Sequence, residues 1–150
     1  MAQFYFLSVL LNVLCGLILV YGTNLASGEI PSSDAADTGS EEKSLKDGFK
    51  GFDNKTFRLI IGILSVFVGI LKFLSVYRND IPVIGDLLPA LAGLMGGASI
   101  LLEYFMGTTT EEINIPEAVK KIFIECRKYI GVGCLVVGVL HFIFPQVPIL

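Results

Sequence analysis

The chain has 150 residues, 53% hydrophobic and 17% charged, with a net charge of −3 and a mean hydropathy of +0.73. Soluble domains carry about 25% charged residues, so this composition points away from a water-surrounded globule, and the small net charge gives no reason to expect a nucleic-acid partner. The length allows one domain, and four spans of about 20 residues each leave little room for a soluble catalytic unit.

The first apolar stretch is Phe4–Gly22. Residues 1–28 carry no side-chain charge, and Ala26-Ser27-Gly28 resembles a small-residue cleavage site. A basic n-region is missing, however, and the stretch is longer than the roughly 7–15-residue core of a signal peptide, so a retained span is expected. Residues 23–52 form a polar loop whose Ser-, Asp-, Ala- and Gly-rich first half reads as a flexible linker. Its second half sets Phe49, Phe52 and Phe57 among Lys46, Lys50 and Lys55, an interfacial pattern. Asp53 is the expected cap of span two, residues 57–77.

Arg78-Asn79-Asp80 is a tight turn, which makes spans two and three antiparallel neighbours; span three covers about 83–106. Asn114 before Pro116, with Glu117 behind it, marks the next helix start. Ile115, Val119, Ile122 and Phe123 then form an apolar stripe beside Lys120, Lys121 and Glu125. That spacing predicts an amphipathic helix over 116–125, either lying in the membrane surface or running on into span four. Span four covers about 128–146, with Pro145 and Pro148 ending it. If all four segments cross, nine of the 11 basic residues fall in loops 23–56 and 107–127 or at the adjoining span ends. Basic loops stay cytoplasmic, so both termini are expected outside a plasma (inner) membrane.

A shift of 69 lays Arg58–Leu74 on Arg127–Ile143 with seven identities in 17 positions and sets Lys72 against His141. A shift of 77 lays Leu10–Leu17 on Leu87–Leu94 with five identities in eight. Together these suggest two tandem helical hairpins, duplicated in parallel. The expected fold class is therefore an all-α integral membrane protein of four transmembrane helices. Gly62 and Gly69, like Gly131 and Gly138, are seven residues apart and share a helix face, while Ala92/Gly96 and Gly93/Gly97 are small-xxx-small pairs. Helices in lipid associate through such close contacts.

Ionisable groups within a span cost about 2.5–3.5 kcal/mol on insertion and are the natural functional candidates. Lys72 near the end of span two and Asp86 near the start of span three reach similar depth across the turn, where an ion pair lowers the cost of both. His141 could join them as a proton or ion relay. The structural alternatives are a snorkelling Lys72, Asp86 as an N-cap and an interfacial His141. Glu103 is expected to pair with Arg127 or Lys128, or to reach water. Cys15, Cys126 and Cys134 make no CxxC pair and are expected as free thiols, and no motif calls for a metal or cofactor. The packing signal outweighs the chemistry. The expected function is a non-enzymatic assembly subunit of a homo-oligomer or larger membrane-protein complex in the lipid bilayer; the alternative is a small ion channel or proton- or ion-coupled transporter using Lys72, Asp86 and His141.

Overall fold

The structure, a computed structural model, describes residues 2–26, 54–78, 84–109 and 114–143, with the side chains at 2–4, 75–78 and 84–86 outside that description. Every regular element among the described residues is helical. In chain order these are α1 (Ala2–Tyr21), α2 (Lys55–Arg78), α3 (Ile84–Thr108), α4 (Glu117–Lys120) running into a π turn (Lys121–Glu125), and α5 (Arg127–Ile143). Two segments, Lys55–Leu74 and Leu87–Thr108, are long and apolar enough to cross a membrane, and Tyr5–Tyr21 is a shorter apolar stretch. These helices point to a membrane location.

Local sequence sets the helix ends. Asn54 caps α2: its Oδ1 accepts the Thr56 N–H at 3.1 Å and its carbonyl accepts that of Arg58 at 3.1 Å. The cap thus falls one residue after the expected Asp53, which lies outside the described residues. The expected Asn114 start is also corrected. Pro116 takes the N-cap position of α4 with extended backbone (φ −52°, ψ 134°) and no side-chain cap, and its carbonyl accepts the N–H groups of Val119 and Lys120. Proline has no N–H to satisfy there, so the helix can begin directly behind it. The amphipathic segment is a single α turn and a π turn joined through Cys126 to α5. It is tied to α3 by the Ser99 hydroxyl, which donates to the Phe123 carbonyl at 2.6 Å.

The closest neighbours are α2 with α3 and α1 with α5, while α1 with α2 and α3 with α5 touch less. Both close pairs run antiparallel: Gly62 meets Gly97 and Leu101 while Gly69 meets Leu94 and Ala90, and Gly16 meets Gly131 and Leu135 while Gly138 meets Val13. The tandem hairpins of the sequence reading are therefore not the tightest units. Glycine decides this. A Cβ on Gly97 would lie 2.9 Å from the Gly62 carbonyl oxygen, and one on Gly16 would lie 2.7 Å from that of Gly131. Those backbones are close enough that dispersion contacts accumulate along both seams.

The core joins Leu11, Cys15, Ile18 and Leu19 of α1 to Ile61 and Val68 of α2 and Ile100 of α3. Large apolar side chains also cover the outside, among them Phe67, Leu74, Phe105, Val136 and Phe142. Asn12, Arg58, Ser65, Lys72, Glu103, Arg127 and His141 are buried. Charged side chains are almost never fully buried unless paired, so these groups call for partners inside the bundle.

Candidate functional site

Arg58, Ser65 and Lys72 recur every seven residues on α2, and Arg127, Cys134 and His141 do so on α5. Seven residues make almost two full turns, so each set occupies one face of its helix. Both faces turn inward, and all six residues are buried. Positions related by the 69-residue shift converge at the two ends, and in the middle they bond to adjacent carbonyls of α3, giving a polar file through the bundle. It spans about 21 Å, from 14 residues at ~1.5 Å each.

At one end, Lys72 Nζ lies 3.4 Å from His141 Nε2. The Tyr5 hydroxyl donates to the His141 carbonyl oxygen. The Tyr5 and His141 rings are 4.5 Å apart at 45°, and Lys72 Nζ lies 5.6 Å from the Tyr5 ring centroid. Two positive charges 3.4 Å apart would repel by about 5 kcal/mol at an effective dielectric of ~20. In the tautomer that leaves a lone pair on Nε2, His141 accepts from the ammonium.

In the middle, Ser65 Oγ donates to the Gly93 carbonyl at 2.9 Å and Cys134 Sγ donates to the Ala92 carbonyl at 3.2 Å. The equivalent positions of α2 and α5 thus bond to adjacent carbonyls of α3. Asn12 Nδ2 donates to the Pro89 carbonyl at 3.0 Å. Cys15, Cys126 and Cys134 are all free thiols.

At the other end, two guanidiniums converge on Glu103. Arg127 Nε lies 2.6 Å from Glu103 Oε1 and Arg58 Nη1 lies 3.7 Å from Oε2. Both arginines also serve the C-terminus of α1. Arg58 Nη2 donates to the Ile18 carbonyl at 3.5 Å, and Arg127 Nη2 reaches those of Ile18 at 3.3 Å, Gly22 at 3.1 Å and Thr23 at 3.5 Å. The Ile18 carbonyl also accepts the Gly22 N–H at 2.9 Å; the end of a helix carries the negative end of its dipole, so cationic donors suit these carbonyls. Here those donors come from the starts of two other helices.

Residues 1–141 match a protein-family model. The chain belongs to that family. It is also similar to an uncharacterised protein of Treponema pallidum (strain Nichols), with 29% identity over 144 residues, covering 96% of this chain and 95% of that one. No solved structure matches it significantly.

Of the residues singled out in the sequence, Lys72 and His141 are brought into contact. Asp86 falls in the first described turn of α3, which begins at Ile84, and its side chain, with any pairing to Lys72, lies outside the described residues. Gly62, Gly69, Gly97, Gly131 and Gly138 face neighbouring helices within the chain, Gly96 faces Cys15 and Cys134, and Gly93 faces Asn12 and Ser65. Ala92 supplies the carbonyl that Cys134 bonds. Glu103 pairs with Arg127, one of the two basic partners expected for it. Arg58 as a third member, and Asn12 and Tyr5 as participants, went unseen. The signal for Arg58 was its identity with Arg127 in the 69-residue register.

Proposed function

We propose that this chain is a four-span membrane bundle that carries protons along its buried polar file, as a small conductor or as the coupling element of a transporter. The observation that carries the reading is the in-register meeting of Arg58 with Arg127 at Glu103 and of Lys72 with His141. Ionisable groups inside a membrane are expensive and face functional interiors, and a contact between an ammonium and an imidazole sets a proton donor beside a proton acceptor. The buried polar groups and the apolar exterior support a bilayer as the surrounding medium. Under this reading α1 and α5 also cross, the chain is a parallel duplication, both termini lie outside, and loops 23–56 and 107–127 lie in the cytoplasm. A C-terminal reporter that functions only in the cytoplasm would overturn that orientation.

Liposomes containing the protein and a trapped pH-sensitive dye test the function directly. Under an imposed potassium diffusion potential the parent should acidify or alkalinise the interior faster than protein-free liposomes. Lys72→Met and His141→Phe should each slow this by about tenfold or more, ~1.4 kcal/mol in barrier terms. A parent rate equal to that of empty liposomes rejects the reading.

A second reading, an assembly subunit of a homo-oligomer or larger complex, is favoured by the outward face of α5. A Cβ on Gly133 would meet nothing within 4 Å, and Tyr129, Val132 and Val136 beside it are exposed. Extraction in mild detergent with a partner in fixed stoichiometry, lost in Gly133→Leu, would support it. The glycines that first suggested assembly face neighbouring helices inside the chain, so the proton path is the better supported of the two.

A further inference from the structure

The inward side of α1 carries a polar stripe. Tyr5, Ser8, Asn12 and Cys15 are spaced by three, four and three residues, which puts them on one side of the helix. Ser8, Asn12 and Cys15 are buried and Tyr5 is half-buried, so α1 lines the polar file beside α2 and α5. Tyr5 stands at the Lys72–His141 end. Its hydroxyl donates to the His141 carbonyl oxygen, its ring centroid lies 4.5 Å from that of the imidazole, and Lys72 Nζ sits over the same ring, 5.6 Å from the centroid. The hydroxyl bond has a cause in the sequence. In an α-helix the His141 carbonyl would accept the N–H four residues on, and that residue is Pro145, which has no N–H. A tyrosine of an aromatic belt keeps its polar end among the lipid headgroups; this one spends its hydroxyl inside the bundle.

We infer that Tyr5 is a positioning residue for the Lys72–His141 pair, its hydroxyl holding the α5 backbone at His141 and its ring holding the imidazole and the ammonium together. An aliphatic side chain of the same size would not replace the ring. The face of an aromatic ring is negative, so an ammonium within about 6 Å of its centroid is attracted to it, most strongly where water is excluded. Lys72 carries its charge at the end of a flexible four-carbon stem, and the ring holds that end at the depth of His141 Nε2. The consequence for conduction rests on the proton-path reading, whereas the contacts of Tyr5 do not.

The test uses the full chain, in liposomes and in lipid nanodiscs. Tyr5→Phe keeps the ring and loses the hydroxyl. Fluorine on that ring changes its shape little but drains its negative face. Proton flux should therefore fall stepwise from Tyr5→Phe through Tyr5→monofluorophenylalanine to Tyr5→trifluorophenylalanine. Tyr5→Leu, with no ring, should lie about tenfold below the parent. A ring that served only as packing would be blind to the fluorines, so equal flux in Tyr5→Phe and Tyr5→trifluorophenylalanine overturns the proposal. A second readout needs no flux. His141 is the one histidine of the chain, and the Tyr5 ring current should displace its imidazole proton resonances in the parent and in Tyr5→Phe, but not in Tyr5→Leu. Imidazole resonances that match in the parent and a folded Tyr5→Leu also overturn the proposal. Displaced resonances in a parent with no flux above empty liposomes uphold the position of Tyr5 and reject the proton path. Parent flux that Tyr5→Leu leaves unchanged does the reverse.

Discussion

The two ends of the polar file hold buried charge by different means. At the Glu103 end, two guanidiniums share one carboxylate and also bond the carbonyls of Ile18, Gly22 and Thr23. Those carbonyls belong to the backbone and cannot change state, so the arginines are held whatever happens around them. At the His141 end, an ammonium and an imidazole face each other at 3.4 Å with roles that depend on the histidine tautomer, and a tyrosine ring lies alongside. The first end is anchored on backbone acceptors, and the second joins two side chains whose donor and acceptor roles can change.

The largest effect should come from the anchored end. Glu103→Leu removes the carboxylate that two buried guanidiniums share and should cost about 3–5 kcal/mol of stability, read as thermal unfolding in detergent. Parent-like stability in that variant would break the comparison. Close packing should follow the same gradient. Gly131→Ala, nearer the anchored end, sets a methyl 2.8 Å from Leu19 Cβ, 2.9 Å from Val20 Cγ2 and 3.1 Å from the Gly16 carbonyl oxygen. It should cost about 1–3 kcal/mol. Gly138→Ala meets one Val13 methyl at 2.9 Å with its next contacts at 3.4 Å, so its loss should be the smaller of the two. Gly133→Ala, with open space around it, should gain about 0.5–1 kcal/mol from helix entropy. Asn54→Ala removes the α2 cap at the anchored end and should cost about 1 kcal/mol.

A smaller loss of stability is expected from Lys72→Met. The methionine keeps most of the apolar length of the lysine stem, so this variant should lose less stability than Glu103→Leu while its proton flux falls. A stability loss matching that of Glu103→Leu would mean that the two ends do the same work.

The helices themselves were legible, because apolar stretches of this length between polar loops leave few alternatives. The meeting of Lys72 with His141 was legible too, since both occupy one position in the 69-residue register. The anchored end was harder to read. Arg58 and Arg127 looked like loop charges beside their spans, and only the approach of α3 and the end of α1 turns them inward; that is a non-local fact. The partnering of α1 with α5 was hidden for a related reason. Gly16 bears on it as much as Gly131, yet sequence order favoured neighbours along the chain. The missed cap at Asn54 was a matter of one residue between two equally good capping types.

The reach of Arg127 across 105 positions to the Gly22 carbonyl has a consequence for biogenesis. α1 leaves the ribosome well before α5, so its end lacks the donors of Arg127 until α5 has been made, and contacts this distant in sequence form late and slowly. Until α5 arrives, the end of α1 must borrow solvent or a chaperone for its open carbonyls. A chain stopped short of Arg127 should therefore be taken by quality-control proteases rather than accumulate.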